Sequence, residues 1–145
     1  MIFIILFSDI LKTRNLPGPN SGELSRIIFI NVVDYIGVEK IVIDEQQDIE
    51  NVLELLKTAE RVRDKQSLSD FPDKTKFTTI LFDFESGGTS VRSMYEENND
   101  LYIDQPYDYV YKVETDNRKL LEKIINRGSK EDISVNLKEI LNGSF

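Results

Sequence analysis

The chain of 145 residues contains no histidine and no cysteine. Without histidine it has no side chain that titrates unaided near neutrality, and no Ser-His or Cys-His nucleophile pair can be built. Without cysteine there are no thiolate metal sites, and imidazole sites fall with histidine. Catalysis would be left to carboxylate, lysine or tyrosine chemistry, and metal binding to oxygen-only coordination of a hard cation. Bases are also short: 18 Lys and Arg stand against 26 Asp and Glu, a net charge of −8. Binding a polyanion requires cations that displace counterions, so nucleic acid is not an expected partner, and any charged partner should be basic. Long apolar runs are missing too. The longest, residues 1–7, is far below the ~20 residues that span a bilayer.

What is present describes one domain of ordinary globular composition, long enough to bury a core without covalent staples. Residues 1–7 are either a buried element of that domain or the tail of an export or anchor segment beginning upstream of Met1. The stretch that follows, with Pro17, Gly18, Pro19 and Gly22, punctuates rather than packs and reads as a linker. The expected division is therefore 1–24 as apolar segment and linker, and 25–145 as a single α+β domain.

Within it, two β-branched runs at 27–33 and 40–43 predict a first hairpin. Asp44 and Gln47 have capping-box spacing, and Ile49, Val52, Leu53, Leu56, Ala59 and Val62 recur at helical intervals, which predicts one long helix over 45–63. Residues 64–76 are polar and read as a surface loop. Alternation over 77–84 predicts a half-buried strand, and shorter strands follow at 91–95, 101–103 and 109–113. Thr115 or Asp116 should cap a helix with Leu120, Leu121, Ile124 and Ile125, closed by Gly128. Ser129 and Asp132 have capping-box spacing for a last helix carrying Ile133, Leu137, Ile140 and Leu141. The predicted architecture is a single antiparallel sheet of four to six strands, with the long helix and one or two C-terminal helices packed on one face.

Each candidate constellation has a plainer reading. Gly87-Gly88 joins two strands with no lysine or helix behind it, so it reads as a hairpin turn needing positive φ rather than a phosphate loop. Glu96, Glu97, Asp100, Asp104 and Asp108 lack the glycine and the alternation of an EF-hand, and read as a solvated hairpin tip. Lys57, Arg61, Arg63 and Lys65 alternate with acids as on any solvated face. The tyrosines are the informative set. Five of the six fall between 95 and 111, and tyrosine supplies rigid contact area with a polar tip. Full extension would put Tyr107, Tyr109 and Tyr111 on one face. Tyr95, Tyr102, Tyr107 and Tyr109, with Glu96, Glu97 and Asp104 around them, are the expected binding residues; no catalytic residue, metal ligand or cofactor is expected.

Leu16-Pro17-x-Pro19, the Phe82-x-Phe84-x₂-Gly87-Gly88-Thr89-Ser90 strand and turn, and the Tyr95-Glu96-Glu97-Asn98, Gln105-Pro106-Tyr107 and Tyr111-Lys112 elements carry a resemblance. They resemble an uncharacterised Gram-positive family of small secreted or membrane-anchored domains. That resemblance implies an α+β fold and an extracytoplasmic or membrane-anchored location, the alternative being cytoplasmic; it brings no activity with it. The functional expectation is a non-enzymatic module that binds a protein or envelope ligand, touching the membrane only through its N-terminal segment. The alternative is an acidic inhibitor or immunity protein directed at a basic toxin or enzyme.

Overall fold

A computed structural model describes residues 15–143. The apolar run at residues 1–7 therefore lies outside the described residues. After a single 3₁₀ turn at Ser21–Glu23, strands β1 (Leu24–Val33) and β2 (Ile36–Ile43) form the first hairpin. Helix α1 (Gln46–Lys57) follows, then β3 (Glu60–Gln66), β4 (Lys76–Phe84), β5 (Thr89–Glu97), β6 (Asp100–Asp104) and β7 (Tyr109–Val113). Helix α2 (Thr115–Arg127), β8 (Ser129–Asn136) and a short α3 (Leu137–Leu141) complete the chain. All eight strands belong to one antiparallel sheet in the order β3-β7-β6-β5-β4-β1-β2-β8.

This corrects the expected sheet of four to six strands in three respects. The long helix ends at Lys57, where the Thr58 hydroxyl bonds back to Leu55 O at 2.6 Å; residues 60–66 leave the helix and pair with β7. The C-terminal segment from Ser129 is a strand along β2 and turns helical only at Leu137. The capping box sits seven residues later than predicted, with the Asn136 side chain accepting from the Glu139 N–H. In each case an open sheet edge offered backbone partners that an isolated helical turn does not have. The helices also do not share a face.

On one face, Ile49, Val52, Leu53 and Leu56 of α1 and Leu121 and Ile124 of α2 pack on Ile27, Phe29, Ile41, Ile80, Phe82, Ile103 and Tyr111. The opposite face carries a second core of Ile28, Ile30, Val32, Phe77, Leu81, Tyr95 and Val110, to which α3 adds Ile140. The unbroken apolar run in β1 follows from this, because its neighbours bury both of its faces. Chain described as linker also packs: Leu16 is buried, its N–H bonded to Ala59 O at 3.2 Å, and Asn15 bridges to Glu60.

The hairpin turns follow the residues. Asp34 and Tyr35 (φ 50° and 67°) close β1–β2, and Asn98 and Asn99 (φ 52° and 68°) close β5–β6. Two successive left-handed residues match the strand twist, and Asn and Asp tolerate them best after glycine. Gly87 and Gly88 (φ 102° and 84°) turn β4 into β5, as the sequence predicts.

Candidate functional site

The sheet pleat sorts the expected binding residues onto two faces. Tyr95 pairs with Tyr102 across β5 and β6, and Ser93 pairs with Asp104. These four, with Glu97, project on the face away from α1 and α2. Their rings stack, with centroids 5.6 Å apart and planes 29° apart. Glu96 points to the helical face and meets Arg118 of α2, as does Glu122. Tyr109 shares that face with Tyr111 and lies under Arg61, whose guanidinium carbon is 4.5 Å from the ring centroid. Tyr107 sits in the turn at φ 61° and is 67% exposed. The chain is not extended there, so Tyr107 does not join the row that spacing alone would give it.

Over the Tyr95–Tyr102 pair runs the segment from the end of β3 to the start of β4. Phe71 packs on the second core, 5.7 Å from the Phe77 ring, and Pro72 beside it is buried. Two lysines then tie the segment to one carboxylate: Lys65 Nζ is 3.0 Å from Glu97 Oε1, and Lys74 Nζ is 2.6 Å from Glu97 Oε2. The same ammonium groups lie against the aromatic faces, Lys65 at 4.9 Å from Tyr102 and Lys74 at 5.3 Å from Tyr95. Between this strap and the sheet is a cleft of about 490 Å³, lined by Lys65, Ser67, Lys74, Tyr95, Glu97 and Asp104 among others.

The electrostatics of the cleft divide its two principal carboxylates. Glu97 is held below its usual range by hydrogen bonds to Lys74 and then Lys65. Asp104 is only 6% exposed. Burial raises its carboxyl above the ordinary aspartate value, partly offset by a hydrogen bond from Ser67. That hydroxyl has one proton and a second acceptor, Ser69 O, at 3.3 Å. Asp104 Oδ1 has no partner among the described residues, and neither do Ser93 Oγ and Thr79 Oγ1, which continue the same cross-strand row. The Tyr95 phenol is pushed up to about 12, mainly by burial and then by Asp104 and Glu97. It is therefore a neutral donor at any ordinary pH.

The acidic run is thus not uniformly a solvated tip. Asp104 is core, while Glu96 and the Asn98-Asn99 turn are exposed. Lys65, Ser67 and Lys74 carried no signal in the sequence, since their role comes from a strap that meets β5 and β6 only in three dimensions. Among the described residues, no group of three or more acidic side chains is placed to hold a metal ion.

A buried carboxylate should destabilise the fold wherever it is ionised. The folded-state value is raised, so this group's favourable contribution is complete below the unfolded value and is lost as pH rises through the folded one. Asp104→Asn is therefore expected to match the parent near pH 3.5 and to gain on it above that, reaching about 1 kcal/mol, or ~4 °C in Tm, at neutral pH. Thermal melts across pH check this; a variant equally or less stable at pH 7 would show the carboxylate to be a structural partner.

Comparison with known proteins gives a family. Residues 17–112 match a family described as Domain of unknown function (DUF5300). The chain belongs to this family. The matched residues run from just before β1 to β7 and include the strap, Tyr95, Tyr102 and Asp104, so the cleft lies within the family domain; α2, β8 and α3 lie beyond the match. No curated protein and no solved structure matches the chain.

Proposed function

We propose that the chain is a non-enzymatic binding module of the Gram-positive cell envelope, which takes its ligand in the cleft between the strap and the Tyr95–Tyr102 face. The observation that carries this reading is Asp104, a carboxyl buried at the cleft with one oxygen left unbonded. A folding domain gains nothing from such a group, and sites where stability is given up are where function is sought. Binding is favoured over catalysis because the second carboxylate is fully engaged. Both Glu97 oxygens already hold lysines, which lower its proton affinity and suit it poorly to act as a general base.

Export rests on the family resemblance of the sequence and on the apolar run at residues 1–7, the segment that would hold the domain at a membrane. No helix among the described residues is long and apolar enough to cross one. Fractionation of producing cells tests the location, and recovery wholly in the cytosol would overturn it.

The cleft is tested by titrating ¹⁵N-labelled protein with a mixed fragment set of amines, carboxylates, sugars and nucleosides. Amide shifts are expected to concentrate at Ser67, Lys74, Tyr95 and Asp104, and to vanish in a Val110→Trp variant that fills the cleft from β7. Shifts confined to other surfaces would assign the ligand elsewhere.

A further inference from the structure

The cleft's own groups narrow the class of ligand, on the reading that it is a binding site. We infer that it takes a primary ammonium group, seated on the Asp104 carboxyl beside Tyr95. Charge excludes the opposite choice. The cations lining the cleft, Lys65 and Lys74, are both committed to Glu97 at 3.0 and 2.6 Å. An anionic ligand would have to strip one of them away, exposing Glu97 to lose its partner. The lining acids are Asp64, Asp73, Glu97 and Asp104, and of these Asp104 is the buried one with an unpaired oxygen. A neutral donor would fill the hydrogen bond but leave the charge desolvated; a cation supplies both.

Geometry then separates ammonium from guanidinium. A guanidinium binds carboxylate best as a fork onto both oxygens. At Asp104 one oxygen, Oδ1, is buried without a partner, so the carboxyl does not present both oxygens to the cleft. A single presented oxygen suits a point donor. An ammonium has three N–H groups to place, and Ser67, which lines the cleft with Asp104, brings a hydroxyl oxygen to it. The aromatic wall agrees. Lys65 and Lys74 already rest their ammonium groups 4.9 and 5.3 Å from the Tyr102 and Tyr95 rings, so this face holds alkylammonium by cation–π attraction within the chain itself.

The chemistry is shared by free amines and by lysine side chains of a peptide or protein, and the test separates them. Calorimetric titrations compare cadaverine, N-acetyl-lysine methylamide and a short lysine-containing peptide with butylguanidine, acetate and an uncharged sugar. Saturable binding is expected for the amines, with butylguanidine weaker. Preference for cadaverine marks a free amine as the ligand; preference for the lysine amide or peptide marks a protein side chain. Asp104→Asn, which keeps shape and is expected to fold at least as well, should weaken amine binding about ten- to a hundredfold, while Glu96→Gln on the opposite face should not. Amine binding untouched by Asp104→Asn would overturn the inference. If acetate, sugar or guanidine binds in the cleft and amines do not, the ligand class is wrong while the binding reading stands. If none of the fragments enters the cleft, both fall.

Discussion

Gly128→Ala is expected to cost the fold about 2–3 kcal/mol, lowering Tm by ~10 °C. The residue follows Arg127 at the end of α2 and leads directly into β8. Its backbone is extended, at φ −68° and ψ 162°, so any residue could adopt it. The constraint is space. A Cβ there would lie 2.6 Å from Ile41 Cγ2, 2.8 Å from Ile43 Cδ1 and 3.0 Å from Val42 O. The two isoleucine tips have some room to turn, but Val42 O belongs to the backbone of β2, which β1 fixes on its other side. The sign of the effect discriminates. Were the glycine there only for chain freedom, alanine would stabilise by restricting the unfolded chain, by about 0.4–1 kcal/mol. Urea unfolding decides between the two, and Gly18→Ala, with nothing within 4 Å of its added methyl, is the control that should show that small gain and no loss.

The same junction explains why β8 was illegible as a strand. Ser129 and Asp132 have the spacing of a capping box, and Ile133, Leu137, Ile140 and Leu141 recur at i, i+4, i+7 and i+8, which is a helical stripe. The competing signal is only Ile133 and Val135 at a spacing of two. Tertiary context decided: β2 has an open edge, and Ser129–Asn136 fills it while keeping Lys130, Glu131 and Asp132 along the outer border of the sheet, where charge discourages further pairing. At residues 58–63 the helical phase of Ala59 and Val62 continued past the real end at Lys57, and the edge of β7 took the segment instead. By contrast, β1, β2, β4 and β7 were readable because β-branched runs and strict alternation need no distant partner to declare themselves.

The cleft shows the same division between local and distant information. That the strands at 91–95 and 101–103 should be neighbours was legible from the short polar stretch between them; the register that sets Tyr95 opposite Tyr102 follows from the two-residue turn at Asn98-Asn99. That Asp104 differs from Asp100 and Asp108 was not, since all three look alike in sequence. Asp104 is buried because its strand neighbours present Ser93 and Thr79 beside it and because Ser67 arrives from the strap. No window of sequence contains that encounter.

Tyr95→Ala is expected to cost about 3 kcal/mol, the scale of removing a buried aromatic ring. Tyr95 is 7% exposed and belongs to the core with Phe77, Leu81 and Val110. Its loss would open a cavity between the sheet and the strap, remove the stacking partner of Tyr102 and leave Lys74 with Glu97 alone. Tyr95→Phe separates the ring from the hydroxyl. Because the phenol is pushed up to about 12, it stays protonated at any working pH, so the phenylalanine variant should lie within about 1 kcal/mol of the parent and show no new pH dependence between pH 5 and 9. The strap provides a second readout. With the ring gone, amide hydrogen exchange should quicken between residues 67 and 75 while β1 and β4 keep their protection, since the Lys74–Glu97 ion pair is partly solvated and holds a segment weakly by itself. An alanine variant losing less than 1 kcal/mol, with exchange in the strap unchanged, would mean that Phe71 and Pro72 alone hold the strap. The wall against which the ligand is proposed to rest would then be a surface feature, not part of the core.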